Sequence, residues 1–283
     1  MNATVPDWAI DILADPATRR PVDRAALREI PVDDDDGGRA RGVLADLSGR
    51  TTNDIEAHSS RFANYGKEPE LLRPEQVRFR RLLKRWIDDL PRDAVLVDIA
   101  CAEMDFAHLA ANVRYVPVDL ARERLACGIE LGRSPFAVIG DITSPPIQAG
   151  AVTAILCTNT LNHLDRVQIE QALSGLIPAL APGGRMLLTV PSGSQAVVHR
   201  LARVHGVRIV RAGRLGGKVS RGWARLAHRH GRFLRGLAVS ATGLDADREV
   251  ARLDAWLLSP LISRRPPPAG GRDEALFHLV AGA

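Results

Sequence analysis

Residues 95–104, Val-Leu-Val-Asp-Ile-Ala-Cys-Ala-Glu-Met, constrain the fold of this chain more than any other stretch. The run over 94–99 is short and apolar apart from Asp98, as a strand buried on both faces of a parallel sheet should be. A tight turn follows, and then a helical pattern, Phe-Ala-His-Leu-Ala-Ala, over 106–111. Strand, turn and helix in that order form the nucleotide-binding end of a doubly wound α/β sheet, where helix N-terminal amides and a strand-end carboxylate, here Asp98, meet a ligand.

Further landmarks follow in order. Tyr-Val-Pro-Val-Asp-Leu over 115–120 closes on Asp119 and Leu120, and Phe-Ala-Val-Ile-Gly-Asp-Ile over 136–142 closes on Asp141 and Ile142. Ala-Val-Thr-Ala-Ile-Leu-Cys-Thr-Asn-Thr-Leu-Asn-His-Leu over 151–164 carries Asn159, Asn162 and His163. Leu-Ala-Pro-Gly-Gly-Arg-Met-Leu-Leu-Thr-Val-Pro over 180–191 sets Pro-Gly-Gly before an apolar run. On these motifs, residues 78–191 resemble the class I S-adenosylmethionine (SAM)-dependent methyltransferases. The resemblance implies an α/β fold with a Rossmann-like seven-stranded sheet, mostly parallel with the last strand antiparallel. It also implies SAM as cofactor, Asp119 as acceptor for the two ribose hydroxyls, and Asp141 as acceptor for the adenine amino group. The cofactor contacts it implies are Tyr65, Asp98, Ala100, Cys101, Ala102, Asp119, Leu120, Asp141, Ile142 and Asn159. A lone strand-end Asp is more often a helix cap, but Asp98, Asp119 and Asp141 close three separate predicted strands, where ligands of open α/β sheets bind.

The family's first strand ends in hydrophobic-Asp-hydrophobic-Gly-Cys-Gly-x-Gly, and Ala100, Ala102 and Met104 stand at the glycine positions. Glycine serves there for positive backbone torsions and for close approach to a ligand. An alanine held in such a conformation costs about 1 kcal/mol, and about 1.4 kcal/mol of lost binding is tenfold in affinity, so two alanines weaken a site without abolishing it. Met104 is the larger obstacle, because a long side chain replaces a hydrogen near the ligand's amino-acid end. Glu103 adds a negative charge that would pair with the ligand's ammonium or repel its carboxylate.

Methyl transfer needs an in-line nucleophile held in place, sometimes with a base for its proton. His163 is the histidine that the motif places nearest the expected methyl, with Asn159 and Asn162 able to orient a polar acceptor. Capping of its own helix is the competing role for His163.

The first sixty residues are a separate problem. The opening over 8–22 resembles the zinc-ribbon methyltransferase-activator domain, in which cysteines flank a proline; here Asp15 and Thr18 hold those places around Pro16. A tetrahedral zinc site needs four thiolate or imidazole ligands, and no Cys or His precedes Glu56. A small β-rich, zinc-ribbon-like appendage over 1–56 without metal is therefore expected. The acidic run over 33–36 with Gly37 and Gly38 reads as a solvated hairpin turn, cation binding being the alternative. Residues 57–283 read as the methyltransferase-like domain. Pro74 marks a helix start, after which Val77, Phe79, Leu82, Leu83, Trp86, Ile87 and Leu90 recur at helical spacing and should pack on the sheet. Arg61, Phe62 and Tyr65 lie upstream, in the segment that in related enzymes folds over the cofactor.

From 192 to 244 the chain has ten Arg, one Lys, four His and no acid. A basic helical insertion over about 211–265 is expected between a sixth strand at 205–210 and a last strand at 275–281. It reads either as an amphipathic cap with a solvated basic side or as a cradle for an anionic substrate. Nucleic acid ranks behind a small anionic metabolite, because few aromatics are interleaved for base stacking. No run of roughly 18 apolar residues marks a membrane span, and the start of the chain lacks the pattern of a signal peptide. Three cysteines, Cys101, Cys127 and Cys157, form no even framework. A cytoplasmic, bacterial enzyme is the simplest reading, the latter from abundant Arg and Ala beside only three Lys. A homodimer or a heteromeric partner stays open. So do three functions: an active methyltransferase on a small anionic metabolite, an enzyme using SAM for other chemistry, and a degenerate non-catalytic scaffold.

Overall fold

A computed structural model describes residues 4–32, 41–62, 74–215 and 274–282. A one-turn helix α1 (Asp7–Ile10) precedes a hairpin of β1 (Glu29–Val32) and β2 (Gly42–Asp46), then α2 (Thr52–Phe62) and α3 (Pro74–Asp88). The series continues with β3 (Val95–Ile99), β4 (Arg114–Asp119), α4 (Arg122–Glu130), β5 (Phe136–Ile139), β6 (Val152–Cys157) and α5 (Arg166–Ala179). It closes with β7 (Leu180–Pro191), α6 (Gln195–Val204), β8 (Arg208–Leu215) and β9 (Glu274–Val280).

Among the described residues the strands form one nine-stranded sheet in the order β1-β2-β5-β4-β3-β6-β7-β9-β8. Strands β2 through β7 are mutually parallel, and β9 lies antiparallel between β7 and β8. The seven strands from β5 to β8 are thus the mostly parallel Rossmann-like sheet with an antiparallel last strand. The N-terminal hairpin continues it, because β2 pairs in parallel with β5, Asp46 opposite Ile139. Gly42 permits this approach, since a Cβ there would stand 2.5 Å from Ile129 Cγ2 and 2.5 Å from the Pro135 carbonyl oxygen.

Burial on both faces explains the unbroken apolar strands. Val97, Ile99, Val116, Val118 and Val138 face a core completed by α1, α5 and α6. Their neighbours Leu96, Ala154 and Leu156 face α3 through Phe79, Leu83, Trp86 and Ile87. Ala137 and Ile139 face α4 through Leu125 and Ile129. Helix α3 begins at Pro74, as the sequence predicts, and α5 starts with a reciprocal capping box between Asp165 and Gln168.

One predicted element differs. The helix expected over 106–111 is a single 3-10 turn, Ala107–Leu109. Residues 100–113 connect β3 to β4, and the left-handed turn takes the first of them. Behind the left-handed turn the amides of Ala107, Leu109 and Ala110 bond three residues back, to Met104, Phe106 and Ala107, in place of the four-residue bonds of an α-helix. The start of the basic insertion lies in β8, and most of it, with the acidic run at 33–36 and Tyr65, falls outside the described residues.

Candidate functional site

The carboxyl ends of β3, β4, β5 and β6 share one rim, and the residues singled out by motif lie along it. After β3, Ala100, Ala102 and Met104 have φ of 58°, 53° and 62°. All three occupy the left-handed region that glycine favours, so the turn keeps a glycine-type backbone without glycine. Two amides brace its start: Ala100 and Cys101 N–H donate to the Val118 carbonyl at 2.7 and 3.2 Å.

Met104 is fully buried and faces away from the rim's solvent side, packed with Leu125 and Ile129. Its methyl rests on α4 at Gly128, where a Cβ would come within 3.1 Å of Met104 Cε and 2.8 Å of the Glu103 carbonyl oxygen. The long side chain is therefore a core anchor for the turn. The Glu103 carboxylate is also directed to α4, gripped by Arg124 through Nε at 2.7 Å and through Nη2. Arg133 clamps the same segment, donating to the Glu103 carbonyl oxygen at 2.6 Å and Asp105 Oδ1 at 2.7 Å. The charge of Glu103 is thus met within the protein.

Asp119 closes β4 and ties the turn to the next strand. Its Oδ2 accepts the Ala102 amide at 2.8 Å and its Oδ1 the Ala121 amide at 2.7 Å. Each carboxylate oxygen offers two lone pairs, so one direction remains on each, which suits a vicinal diol. Burial raises its pKa against those two amides, with His58 and Arg124 nearby pulling it down. Asp98 is 2 % exposed and accepts the Tyr115 hydroxyl at 2.7 Å. Burial pushes it up to about 7, with the Asp119 charge adding to the rise and Tyr115 opposing it. Two buried acids of this kind favour a cationic ligand, which would stabilise both in ionised form. Cys101 is buried beside them, its thiol pushed far up by burial, and Cys157 is pushed up to about 12 for the same reason. Neither is a thiolate, and neither is a nucleophile at neutral pH.

Asp141 stands just beyond β5, and the Gly140 amide before it donates to the Asp119 carbonyl at 2.9 Å. Burial would raise its pKa, but the Thr143 amide and hydroxyl and the Arg50 guanidinium hold it below the usual carboxylate range. Leu120 and Ile142 follow the strand-end acids of β4 and β5 on the same rim. Beyond β6, Asn159 has φ of 56° and its amide donates to the Thr189 hydroxyl at 2.8 Å. His163 ends a 3-10 turn, Leu161–His163, half-buried, with its amide on the Thr160 carbonyl at 2.9 Å; Asn162 is exposed beside it.

Four neighbours were not singled out from sequence. Tyr115 carries a polar-tipped ring in an otherwise apolar strand, a signal that could have marked it. Arg124 and His58 lack such a signal, since tertiary contact alone brings them to Glu103 and Asp119. Arg50 reaches Asp141 because β2 joins the sheet beside β5.

Residues 97–188 match the family described as a methyltransferase domain, and the fold is that of the class I SAM-dependent methyltransferases. One similar structure is Haemonchus contortus phosphoethanolamine N-methyltransferase 2 in complex with S-adenosyl-L-methionine, 14 % identical, covering 82 % of this chain and 58 % of that one, TM-score 0.51. Another is a Galdieria sulphuraria protein provisionally assigned as a sarcosine dimethylglycine methyltransferase, 12 % identical, covering 82 % of this chain and 99 % of that one, TM-score 0.50. The chain spans little more than half the length of the Haemonchus enzyme, 53 % and 58 % in two of its structures. A search of curated proteins finds no match. Among the described residues no helix is long and apolar enough to cross a membrane, and no cluster of three His, Cys, Asp or Glu could hold a metal ion.

Proposed function

We propose that this chain binds SAM along the rim and transfers its methyl group to a small anionic metabolite. The observation that carries the reading is the turn at 100–104, which holds three non-glycine residues left-handed and presents the Ala102 amide to Asp119. Non-glycine residues in that conformation cost on the order of 1 kcal/mol each, a cost the fold carries where the resemblance puts a cofactor.

When bound, the cofactor would supply a methyl group on a cationic sulfur. The free acceptor directions of Asp119 would take the ribose diol. Asp98 and the turn amides would take the charged amino-acid end, and the two acids would gain a counter-charge that the described residues supply only in part. Leu120 and Ile142 would flank the nucleoside, and Asn159 and Asn162 would orient the acceptor. His163 would take the proton from the acceptor's nucleophilic atom. The anionic character of the acceptor rests on the basic stretch over 192–244, which lacks any acid. Tyr65, a cofactor contact by the resemblance, lies outside the described residues.

One observation favours a second reading, a non-catalytic partner subunit: the 3-10 turn Ala107–Leu109 stands where a helix N-terminus would face the ligand. Incubation with SAM labelled in its methyl group and a pool of small metabolites separates the two. Label recovered in small molecules retained by anion exchange supports the enzyme. Label in uncharged or cationic products contradicts the anionic substrate, and no transferred label favours the partner subunit.

A further inference from the structure

Asp141, the acid at the end of β5, has no acceptor left for a ligand. Its Oδ1 takes the amide and the hydroxyl of Thr143, each at 2.8 Å. Its Oδ2 takes Nε and Nη2 of Arg50 at 3.0 and 2.5 Å. An ionised carboxylate offers about four lone-pair directions, and these four donors fill them. Asp141 is 5 % exposed, whereas the Arg50 side chain is 49 % exposed. The group presented to a ligand at the end of β5 is therefore a guanidinium.

Topology puts it there. Strand β2 runs parallel to β5 with Asp46 opposite Ile139, so both strands end on the same rim. Past Asp46 the chain turns, with the amide and hydroxyl of Ser48 on Asp46 Oδ1 at 3.2 and 2.9 Å, and Arg50 arrives beside Asp141. The pair is held from both sides: Asp141 raises the pKa of Arg50, and Asp54 at the start of α2 adds to that effect. Neighbouring strands lie about 4.8 Å apart. A nucleoside whose diol sits on Asp119 thus extends one way to the turn after β3 and the other way to the end of β5, where it meets Arg50.

We propose that Arg50 makes the base subsite a donor. The base is read through N7, or through N7 together with a carbonyl oxygen beside it, which accept from the guanidinium, and its exocyclic amino group goes unread. The proposal rests on the SAM-binding reading above. Arg50 uses two of its five N–H donors on Asp141, and the rest remain for the base. Adenine offers N7 beside its amino group to such a donor; hypoxanthine keeps N7 and offers a carbonyl in place of the amino group, while its N1 carries a proton and accepts nothing. A site that read the amino group through a carboxylate would instead set that carboxylate against the hypoxanthine carbonyl, a mismatch costing ~tenfold or more in affinity.

The test is calorimetric titration of the full chain with S-adenosylhomocysteine and with its hypoxanthine counterpart, S-inosylhomocysteine. The wild type is expected to bind the second ligand within about fivefold of the first, or more tightly. In Arg50→Ala, which frees Asp141, preference for the adenine ligand should rise by ~tenfold. A wild-type preference for adenine above about fivefold overturns the role of Arg50 while leaving SAM binding in place. This ratio decides the matter even if the variant does not fold. Failure of both ligands to bind removes the SAM-binding reading itself, and the role of Arg50 with it.

Discussion

Three left-handed residues within five positions make opposite demands on substitution. Ala102→Gly relieves backbone strain and removes little packing, so it should be neutral or stabilising by up to about 1 kcal/mol. Met104→Gly relieves the same strain but empties a fully buried side chain from the contact with α4, and should destabilise by about 2 kcal/mol or more. Urea denaturation of the two variants checks the pair; a stabilised Met104→Gly would contradict the anchoring role. Asp98 gives a pH prediction of definite sign. Its pKa is about 7 when folded against 3.8 for the free side chain, so between those values the folded state binds more protons than the unfolded one. Its contribution therefore favours folding most below pH 4, falls as pH rises towards 7, and is flat above. Asp98→Asn should remove that slope from a plot of unfolding midpoint against pH, and an unchanged slope would refute the shift. At this scale the sequence showed which residues stand at the turn and at the strand ends, because motif spacing is local. It did not show that Met104 points into the core or that Glu103 pairs with Arg124, since both depend on how α4 packs.

Elements differ in how far local pattern determined them. The buried strands and α3 were legible because apolar runs and helical spacing survive any tertiary context. The helix over 106–111 was not, because behind the left-handed residues 100–104 the same pattern closes as a 3-10 turn. Helix α4 supplies the platform for the turn, and Gly128 is the point of contact. Gly128→Ala raises helix propensity by about 1 kcal/mol, yet its Cβ would lie 2.8 Å from the Glu103 carbonyl oxygen. The contact is with backbone, so the variant should be less stable overall and bind SAM more weakly; a stabilised variant with unchanged affinity would show that the turn does not rest there. In the N-terminal segment, Asp15 Oδ1 accepts the amides of Ala17 and Thr18 at 2.9 and 2.7 Å, closing a knuckle around Pro16. We propose that this knuckle holds without metal, so a chelator should leave the thermal midpoint of the purified chain unchanged.

Among the described residues, the N-terminal segment and the rest of the sheet build one surface. The hairpin extends the sheet past β5, Arg50 reaches Asp141, and His58 on α2 lies close enough to Asp119 to lower its pKa. None of this could be read from the chain, because parallel pairing between residues 43–46 and 136–139 leaves no local trace. That the other seven strands form a mostly parallel sheet with the last strand antiparallel was implied by the family resemblance; their order in the sheet was not. What unites the scales is the rim, where the turn after β3 is left-handed without glycine and Asp98 and Asp119 are buried with raised pKa. Calorimetric titration of the full chain with SAM, alongside Asp119→Ala, tests the proposed SAM binding there most directly. Binding tighter than about 1 mM, weakened ~tenfold or more by the substitution, is expected. No saturable binding by the wild type, or full affinity in Asp119→Ala, would contradict it.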